Sequence, residues 1–180
     1  MKKQVSVIIP NFNGRNYLKD CLNSLNQQHF QDFEIILVDN ASTDDSLSLA
    51  REFCPEIKTI VLSENFGFCR AVNEGIRASK APFVLLLNND TVVDPDFVGA
   101  LYEAIRGKEK VFSCASQMRK LTDPSKMDDG GDFYCALGWA FARGKDKPYE
   151  DYEKAGRIFF SCAGAAIYRR EVFEKIGYFD

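Results

Sequence analysis

The chain has 180 residues, of which 46% are hydrophobic, 13% aromatic and 27% charged. This length and composition predict one globular domain with a full hydrophobic core. The formal net charge of −3 argues against a protein that coats nucleic acid, because such proteins need clustered Lys and Arg to neutralise phosphates. The six cysteines include no Cys-x-x-Cys pair, which favours reduced thiols over a zinc site or a disulfide framework.

The N-terminus shows no targeting signal. MKKQVSVIIP has only a short apolar run after its two lysines, too short for a signal peptide. No apolar segment approaches the length of a transmembrane helix. We therefore expect a cytoplasmic domain, which could still associate peripherally with the inner face of a membrane through regions outside this sequence.

Strand-like and helix-like patterns alternate along the first part of the chain. The predicted strands are residues 5–10, 33–39, 57–62, 83–87 and 111–117. Between them, apolar residues recur at helical spacing. The expected helix starts lie near the turn Asn11-Phe12-Asn13-Gly14, at Ser42-Thr43-Asp44-Asp45, at Gly67, and at Asp94 followed by Pro95. The third of these helices is expected to turn Phe68 inward together with Ala71, Val72, Gly75 and Ile76.

Continuous apolar strands alternating with amphipathic helices indicate an α/β domain: a mostly parallel, Rossmann-like sheet with helices on both faces. In such sheets, ligands bind beyond the carboxyl ends of the strands. Four polar segments mark those ends, and we expect the site there: Pro10-Asn11, Asp39-Asn40, Ser63-Glu64-Asn65 and Asn88-Asn89-Asp90.

The periodicity loosens after about residue 118. The segment 122–148 is rich in Gly, Asp, Lys and aromatic residues, which is typical of a functional loop or cover. Asp128, Asp129 and Asp132 are expected to be turn residues. An alternative hypothesis places this loop, with Trp139, beside an acceptor or sugar site. A strand-like run over 158–168 and a short helix over 170–176, ended by Gly177, complete the chain.

Several nucleotide-binding and hydrolytic classes are excluded. The first strand-to-helix turn reads PNFNGRN, with a single glycine, so the dinucleotide motif G-x-G-x-x-G is missing. The sequence also has no P-loop and no G-x-S-x-G nucleophile motif. Asp39 and Asp90 remain as carboxylates at strand ends. A phosphorylated ligand held there would need a bridging cation such as Mg²⁺ or Mn²⁺, and Asp90 is placed to bind it.

Four stretches occur in a specific order across residues 5–95: VSVIIPNFNG, ILVDNASTDDS, ENFGFCRAVNEGIRAS and FVLLLNNDTVVDP. Together they resemble the nucleotide-sugar-binding half of glycosyltransferase family 2. The tail from Cys162 also resembles this family. The resemblance implies a GT-A fold and an inverting reaction. Within the family it points to the rhamnosyltransferase-like subgroup, in which the corresponding strand often reads L-L-N-x-D.

The resemblance also implies roles for individual residues. The implied nucleotide-sugar-binding positions are Pro10, Asn11, Phe12, Asp39, Asp44, Asn65, Gly67, Arg70, Asn73, Asn88 and Asn89. Asn88-Asn89-Asp90 matches the D-x-D metal motif, except that an amide replaces the first carboxylate. Asp90 is therefore expected to carry the Mg²⁺ or Mn²⁺ ion largely alone.

In the family, the general base is an aspartate in an acidic pair beyond a G-x-F-D-E stretch, and this sequence reaches Gly177-Tyr178-Phe179-Asp180. The base is thus expected beyond Asp180. We expect residues 1–118 to form the donor-binding half, and residues 119–180 to form an incomplete beginning of the acceptor-side half. On this basis the 180-residue form should have little transferase activity.

The implied reaction moves a sugar from a UDP- or dTDP-linked donor to a saccharide or lipid-linked acceptor in surface polysaccharide assembly. Two alternatives belong to other classes. A non-catalytic nucleotide-sugar-binding or scaffold domain would explain the missing base. A sugar-phosphate nucleotidyltransferase shares the architecture, but PNFNGRN lacks the G-x-G-x-R turn that such an enzyme needs.

Overall fold

A computed structural model describes residues 3–180. Its ten strands are β1 (Val5–Asn11), β2 (Phe33–Asp39), β3 (Lys58–Val61), β4 (Phe83–Leu87), β5 (Ser113–Ala115), β6 (Met118–Lys120), β7 (Asp123–Asp129), β8 (Asp132–Tyr134), β9 (Ala140–Ala142) and β10 (Ala165–Arg169). Its helices are α1 (Arg15–Asn26), α2 (Ser46–Phe53), α3 (Gly67–Ala78), α4 (Phe97–Ile105) and α5 (Arg170–Ile176), with a 3₁₀ turn at Tyr149–Tyr152.

Six strands form the central sheet, in the order β3-β2-β1-β4-β10-β5. β1 pairs in parallel with β2 and β4, and β2 pairs in parallel with β3. β10 is antiparallel to both β4 and β5, because the chain enters β10 at the edge where β4 ends: Ala165 pairs with Leu87. The predicted mostly parallel α/β sheet is confirmed.

Helices cover both faces of the sheet. Side chains of α1, α2 and α4 pack with Val7 and Ile9 of β1 on one face, whereas α3 and α5 pack with Ile8 on the other. Successive residues of a strand point to opposite faces, so a strand covered on both sides must be apolar throughout. This is why β4 reads FVLLL, with all five residues buried.

Two predicted helix starts are wrong by a few residues. α2 begins at Ser46 and α4 at Phe97. The Oγ of Ser42 donates to Asp39 Oδ1 at 2.6 Å instead of capping a helix. The carbonyl of Asp94 accepts a hydrogen bond from Gln28 Nε2 at 2.7 Å. Both segments are therefore held as turns by partners that helix-start patterns do not include.

Other predicted element boundaries also differ from those in the structure. β3 and β5 are shorter than predicted, and the last central strand begins at Ala165, so residues 158–164 lie outside it. Phe68, expected to face inward, is 42% exposed. The predicted C-terminal helix 170–176 is confirmed, and Gly177 follows it with a φ of +97°.

The segment between β5 and β10 forms two small antiparallel hairpins, β6–β7 and β8–β9, at the carboxyl edge of the sheet. Sequence periodicity did not predict them because each of their strands except β7 is only three residues long. Within residues 3–180, no helix combines the length and apolar character required to cross a membrane.

The contact of α3 with β1 gives a test of the fold. A Cβ on Gly75 would lie 2.4 Å from Ile8 Cγ2. Alanine normally favours a helix over glycine by about 1 kcal/mol, but overpacking a core costs about 1–3 kcal/mol. We expect Gly75→Ala to lower the free energy of unfolding by roughly 1–2 kcal/mol in urea titrations.

Gly99→Ala is the matched control, because Gly99 also lies in a helix and its added Cβ would lie 3.3 Å from Phe30 Cβ. Its stability should stay within about 1 kcal/mol of wild type, since relief of backbone entropy offsets the tight contact. Equal stabilities of the two variants would contradict the close packing of α3 on β1.

Candidate active site at the strand ends

The last residues of β1 and β2, Asn11 and Asp39, lie side by side in the sheet register. Asn11 is 1% exposed and Asp39 is 2% exposed. Asn11 Nδ2 donates to Asp39 Oδ1 at 2.9 Å, and the backbone N–H of Ser42 donates to Asp39 Oδ2 at 3.0 Å. The Asp39 carboxyl group thus organises the turn that follows β2.

The loops after β1 and β2 are joined by side-chain hydrogen bonds. Asn13 Oδ1 accepts from the backbone N–H of Thr43 at 2.8 Å. Asp44 accepts from the N–H of Arg15 at 3.1 Å and from the N–H of Ser46 at 3.1 Å. Partial burial tends to raise the pKa of Asp44, but hydrogen bonds from Ser46 and Arg15 outweigh it and lower the pKa. The structure therefore uses both Asp44 oxygens to fix the loops.

Asn40 connects the third loop to these two. Its Nδ2 donates to Asn65 Oδ1 at 2.8 Å and to the carbonyl of Gly67 at 3.1 Å, and its Oδ1 accepts from the N–H of Phe66 at 3.0 Å. Its backbone N–H donates to the carbonyl of Asn11 at 2.7 Å. Asn65 and Gly67 are thereby brought to the same edge as Asn11.

Apolar side chains also stand at this edge. Pro10 is partly buried and pairs with Val38 of β2. Phe12 and Phe66, one from each neighbouring loop, are each 47% exposed. Exposed aromatic faces beside buried amides suit a flat, hydrogen-bonding ligand such as a nucleobase.

The end of β4 is attached to the same cluster. Asn89 Nδ2 donates to Asn11 Oδ1 at 2.8 Å. The N–H of Asn88 donates to the carbonyl of Gly164 at 2.8 Å, and its carbonyl accepts from Thr91 Oγ1 at 2.7 Å. Asp90 follows as an exposed residue. Both Asn88 and Asp90 line a cleft of about 750 Å³.

This cleft lies between the residues after β4 and the β6–β7 hairpin. Its other walls are formed by residues 91–94, 116–122, Phe97, Pro124, Asp128 and Ala165. The strand-end cluster around Asn11 and the cleft therefore meet at Asn88 and Asp90. Only these two predicted site residues line the cleft.

A thiol lies beneath the end of β4. Cys21 Sγ lies 3.7 Å from the carbonyl oxygen of Asn88, to which it donates. Burial raises the pKa of Cys21 to about 12, with an opposing hydrogen bond to Thr91 and a reinforcing charge on Asp90. The thiol therefore stays neutral at physiological pH and acts as a packing group.

Two predicted site residues are not part of the cluster. Arg70 forms an ion pair with Glu74, with Nε 2.9 Å from Oε1. Asn73 is 6% exposed, and its amide binds the backbone of Phe179, donating to the carbonyl at 2.7 Å and accepting from the N–H at 3.1 Å. Asn73 thus fixes the C-terminal segment against α3.

The residues at the end of β4 fit a hard divalent cation that a ligand helps to bind. Within residues 3–180, no group of three or more His, Cys, Asp or Glu side chains is arranged to hold a metal ion. Asp90 stands at the cleft beside the amide of Asn88, and Asp94 and Asp128 also line the cleft. Mg²⁺ and Mn²⁺ accept such sparse oxygen sites when substrate phosphates and water supply the other ligands.

Comparison with known proteins decides the family. Residues 6–177 match the family model described as glycosyl transferase family 2. This chain belongs to glycosyl transferase family 2. Glycosyltransferase GlyG of Streptococcus pneumoniae serotype 4 is 29% identical to it over 112 residues, which cover 61% of this chain and 37% of GlyG.

Solved structures confirm the GT-A type of fold in this glycosyl transferase family 2 chain. TarS 1-349 of S. aureus in complex with UDP has a TM-score of 0.73 at 22% identity, covering 100% of this chain and 50% of TarS 1-349. Mannosyltransferase PcManGT from Pyrobaculum calidifontis, in complex with GDP-Man and Mn²⁺, has a TM-score of 0.71 at 18% identity, covering 100% and 48%. The chain thus spans half or less of the length of these proteins.

Three residues of the cluster were not predicted from the sequence of this family 2 chain: Asn13, Gly14 and Ser46. Asn13 could have been found, because it stands directly beside the predicted site residue Phe12 in a turn-forming segment. Gly14 and Ser46 could not, because their roles depend on contacts between separate loops.

The turn between β7 and β8 lies near the cleft. Asp129, the last residue of β7, accepts from the N–H of Gly131 at 2.5 Å and so has the expected turn role. Asp128 and Asp132 lie within β7 and β8, so their expected turn role is wrong. Asp128 lines the cleft, with Lys145 Nζ 3.6 Å from its carboxyl group. Burial raises the pKa of Asp132, and the charge of Asp129 adds to the effect. Trp139, in the neighbouring hairpin, is 73% exposed.

Asp132 and Asp123, the first residues of β8 and β7, should have opposite effects on how stability depends on pH. The folded pKa of Asp132 is raised, so its ionisation destabilises the fold as pH rises. We expect Asp132→Asn to be more stable than wild type at neutral pH, with the gain vanishing as pH falls below the ordinary carboxyl range.

Asp123 is the matched control, because hydrogen bonds from Ser125 and Lys126 lower its pKa. Asp123→Asn should lose stability at neutral pH and match wild type in acid. Urea titrations between pH 3 and pH 7 measure the free energy of unfolding of both variants and of wild type. Parallel pH profiles for the two variants would contradict the assignment.

Proposed function

We propose that this domain binds a UDP- or dTDP-linked sugar together with Mg²⁺ or Mn²⁺ and transfers the sugar, with inversion, to a saccharide or lipid-linked acceptor. The observation that carries the proposal is the hydrogen bond between Asn11 and Asn89. It joins a buried amide-and-carboxyl cluster to the strand end that bears Asp90. A nucleotide end and a cation end therefore share one edge of the sheet.

The Asp39 end is the proposed nucleotide site. The exposed amide of Asn65 there can pair with the polar edge of a pyrimidine, and the exposed rings of Phe12 and Phe66 can stack on it. The likeness to a TarS structure holding UDP supports a nucleoside diphosphate. PcManGT was solved with GDP-Man, so the choice of a pyrimidine rests on the resemblance and on the small amide groups here.

The Asp90 end is the proposed diphosphate site. A divalent cation there would supply charge neutralisation for the diphosphate leaving group. Asp90 would hold it, with the amide of Asn88 at hydrogen-bonding reach of ribose or sugar hydroxyls. The adjoining cleft, about 750 Å³, falls within the range of ligand pockets and would receive the sugar.

Inverting transfer also requires a general base that removes the proton of the acceptor hydroxyl. We assign this base to none of residues 3–180. A rhamnosyltransferase-like role in polysaccharide assembly, on the cytoplasmic side of a membrane, belongs to the same proposal.

Nucleotide-dependent thermal stability tests this function. UDP or dTDP at 100 times its dissociation constant should stabilise the fold by about 2.7 kcal/mol, a rise of roughly 5–11 °C in Tm, and only with MnCl₂ or MgCl₂ present. GDP should have a smaller effect. Asp90→Asn should abolish the cation-dependent part.

Asp94→Asn is the matched control, since Asp94 lines the same cleft and loses the same charge. Asp94→Asn should retain the full nucleotide-dependent rise in Tm. If none of the nucleotides changes the Tm, with or without the divalent cation, donor binding is contradicted and a scaffold domain is favoured. A UDP shift that needs no cation and survives Asp90→Asn would contradict the role of Asp90.

A further inference from the structure

The side chain of Asn11 spans a gap between two parts of the proposed site. β1 lies between β2 and β4 in the sheet. Neighbouring strands are about 4.8 Å apart, so the ends of β2 and β4 are separated by roughly twice that distance. Asn11, at the end of β1, lies between Asp39 and Asn89 and hydrogen-bonds to both.

Both N–H groups of the Asn11 side-chain amide are used in hydrogen bonds within the protein. Its Nδ2 donates to Asp39 Oδ1 and to Ser46 Oγ, each at 2.9 Å, with Ser42 Oγ at 3.2 Å. Its Oδ1 accepts from Asn89 Nδ2 at 2.8 Å. An amide nitrogen carries two N–H groups, and three acceptors surround them. No donor of Asn11 is left for a ligand.

The Asp39 carboxylate sets the orientation of both amides. A carboxylate accepts hydrogen bonds, so Asn11 must turn its nitrogen toward Asp39 and its oxygen toward Asn89. Asn89 must therefore present its nitrogen to Asn11. The Asp39 carboxylate at the end of β2 therefore fixes, through Asn11, the orientation of Asn89, the residue directly before Asp90.

Gly14 makes room for the bond. A Cβ at this position would lie 2.2 Å from Asn11 Oδ1 and 2.2 Å from Asn89 Nδ2. The φ of Gly14 is −92°, an ordinary value for any residue. Glycine is required here by the close approach of two side chains and not by backbone conformation.

We infer that Asn11 and Gly14 are positioning residues that hold Asn89 and Asp90 at a fixed place relative to the Asp39 end. The inference rests on the proposed function and changes the roles of Asn11 and Asn89 from ligand contact to support. A nucleoside diphosphate with its cation must meet both ends at once. A nucleoside monophosphate lacks the β-phosphate and depends on the Asp39 end alone.

Calorimetric titration of two variants tests the inference. Asn89→Ala removes the bond at the β4 end, and Gly14→Ala displaces it without removing a polar group. UDP and dTDP are titrated with MnCl₂, and UMP and dTMP without it. Both variants should lose on the order of tenfold in diphosphate affinity, about the contribution of one hydrogen bond, and keep their monophosphate affinity.

Gly156→Ala is the matched control, because an added Cβ there meets no atom within 4 Å. It should bind like wild type. The double variant of Gly14→Ala and Asn89→Ala should be no weaker than the weaker single variant, since both act on one bond. Circular dichroism checks folding, and Asn89→Ala alone carries the comparison if Gly14→Ala does not fold.

Equal losses for monophosphate and diphosphate would overturn the inference, because they would indicate general loosening of the site. Undiminished diphosphate affinity in Asn89→Ala would overturn it as well. Both results leave the proposed function intact, provided that wild type binds UDP or dTDP with Mn²⁺. Failure of wild type to bind any of the four nucleotides would overturn the proposed function and this inference with it.

Discussion

The buried amide of Asn11 is the interaction on which the candidate site depends. It lies where three adjacent parallel strands of the sheet end, and its partners belong to β2, the first residue of α2, and the segment after β4. Burying an amide is costly unless its hydrogen bonds are made. Within residues 3–180, no buried side-chain nitrogen or oxygen lacks a partner. The polar cluster can therefore sit directly on the hydrophobic core.

The core explains why polar residues collect at this edge. β1, β2 and β4 are apolar along almost their whole length because helices cover both faces of the sheet. Polar groups can appear only where the strands leave this cover. Because β1, β2 and β4 run in the same direction, their carboxyl ends bring Asn11, Asp39 and Asn88 to one edge of the sheet.

Much of this arrangement could be predicted from the sequence. Strand and helix periodicities gave the fold class, the central strands and the strand ends that form the site. The partners of Asn11 and Asn89 could not be predicted, because these residues lie 78 positions apart and meet only in the sheet order β3-β2-β1-β4. Asn73 illustrates the same limit: helical spacing places it on the buried face of α3, but its partner Phe179 lies 106 residues away. The helix starts at Ser46 and Phe97 were missed because Ser42 and Asp94 have tertiary partners.

The central claim is that one edge of the sheet holds a nucleoside diphosphate at its Asp39 end and a cation at its Asp90 end. A crystal structure of the protein with UDP and MnCl₂, with anomalous diffraction at the manganese edge, tests it most directly. The account predicts one anomalous peak within coordination distance of the Asp90 carboxylate and of the diphosphate, with the base at the Asp39 end. Manganese bound away from Asp90, or a nucleotide bound elsewhere on the molecule, would contradict it.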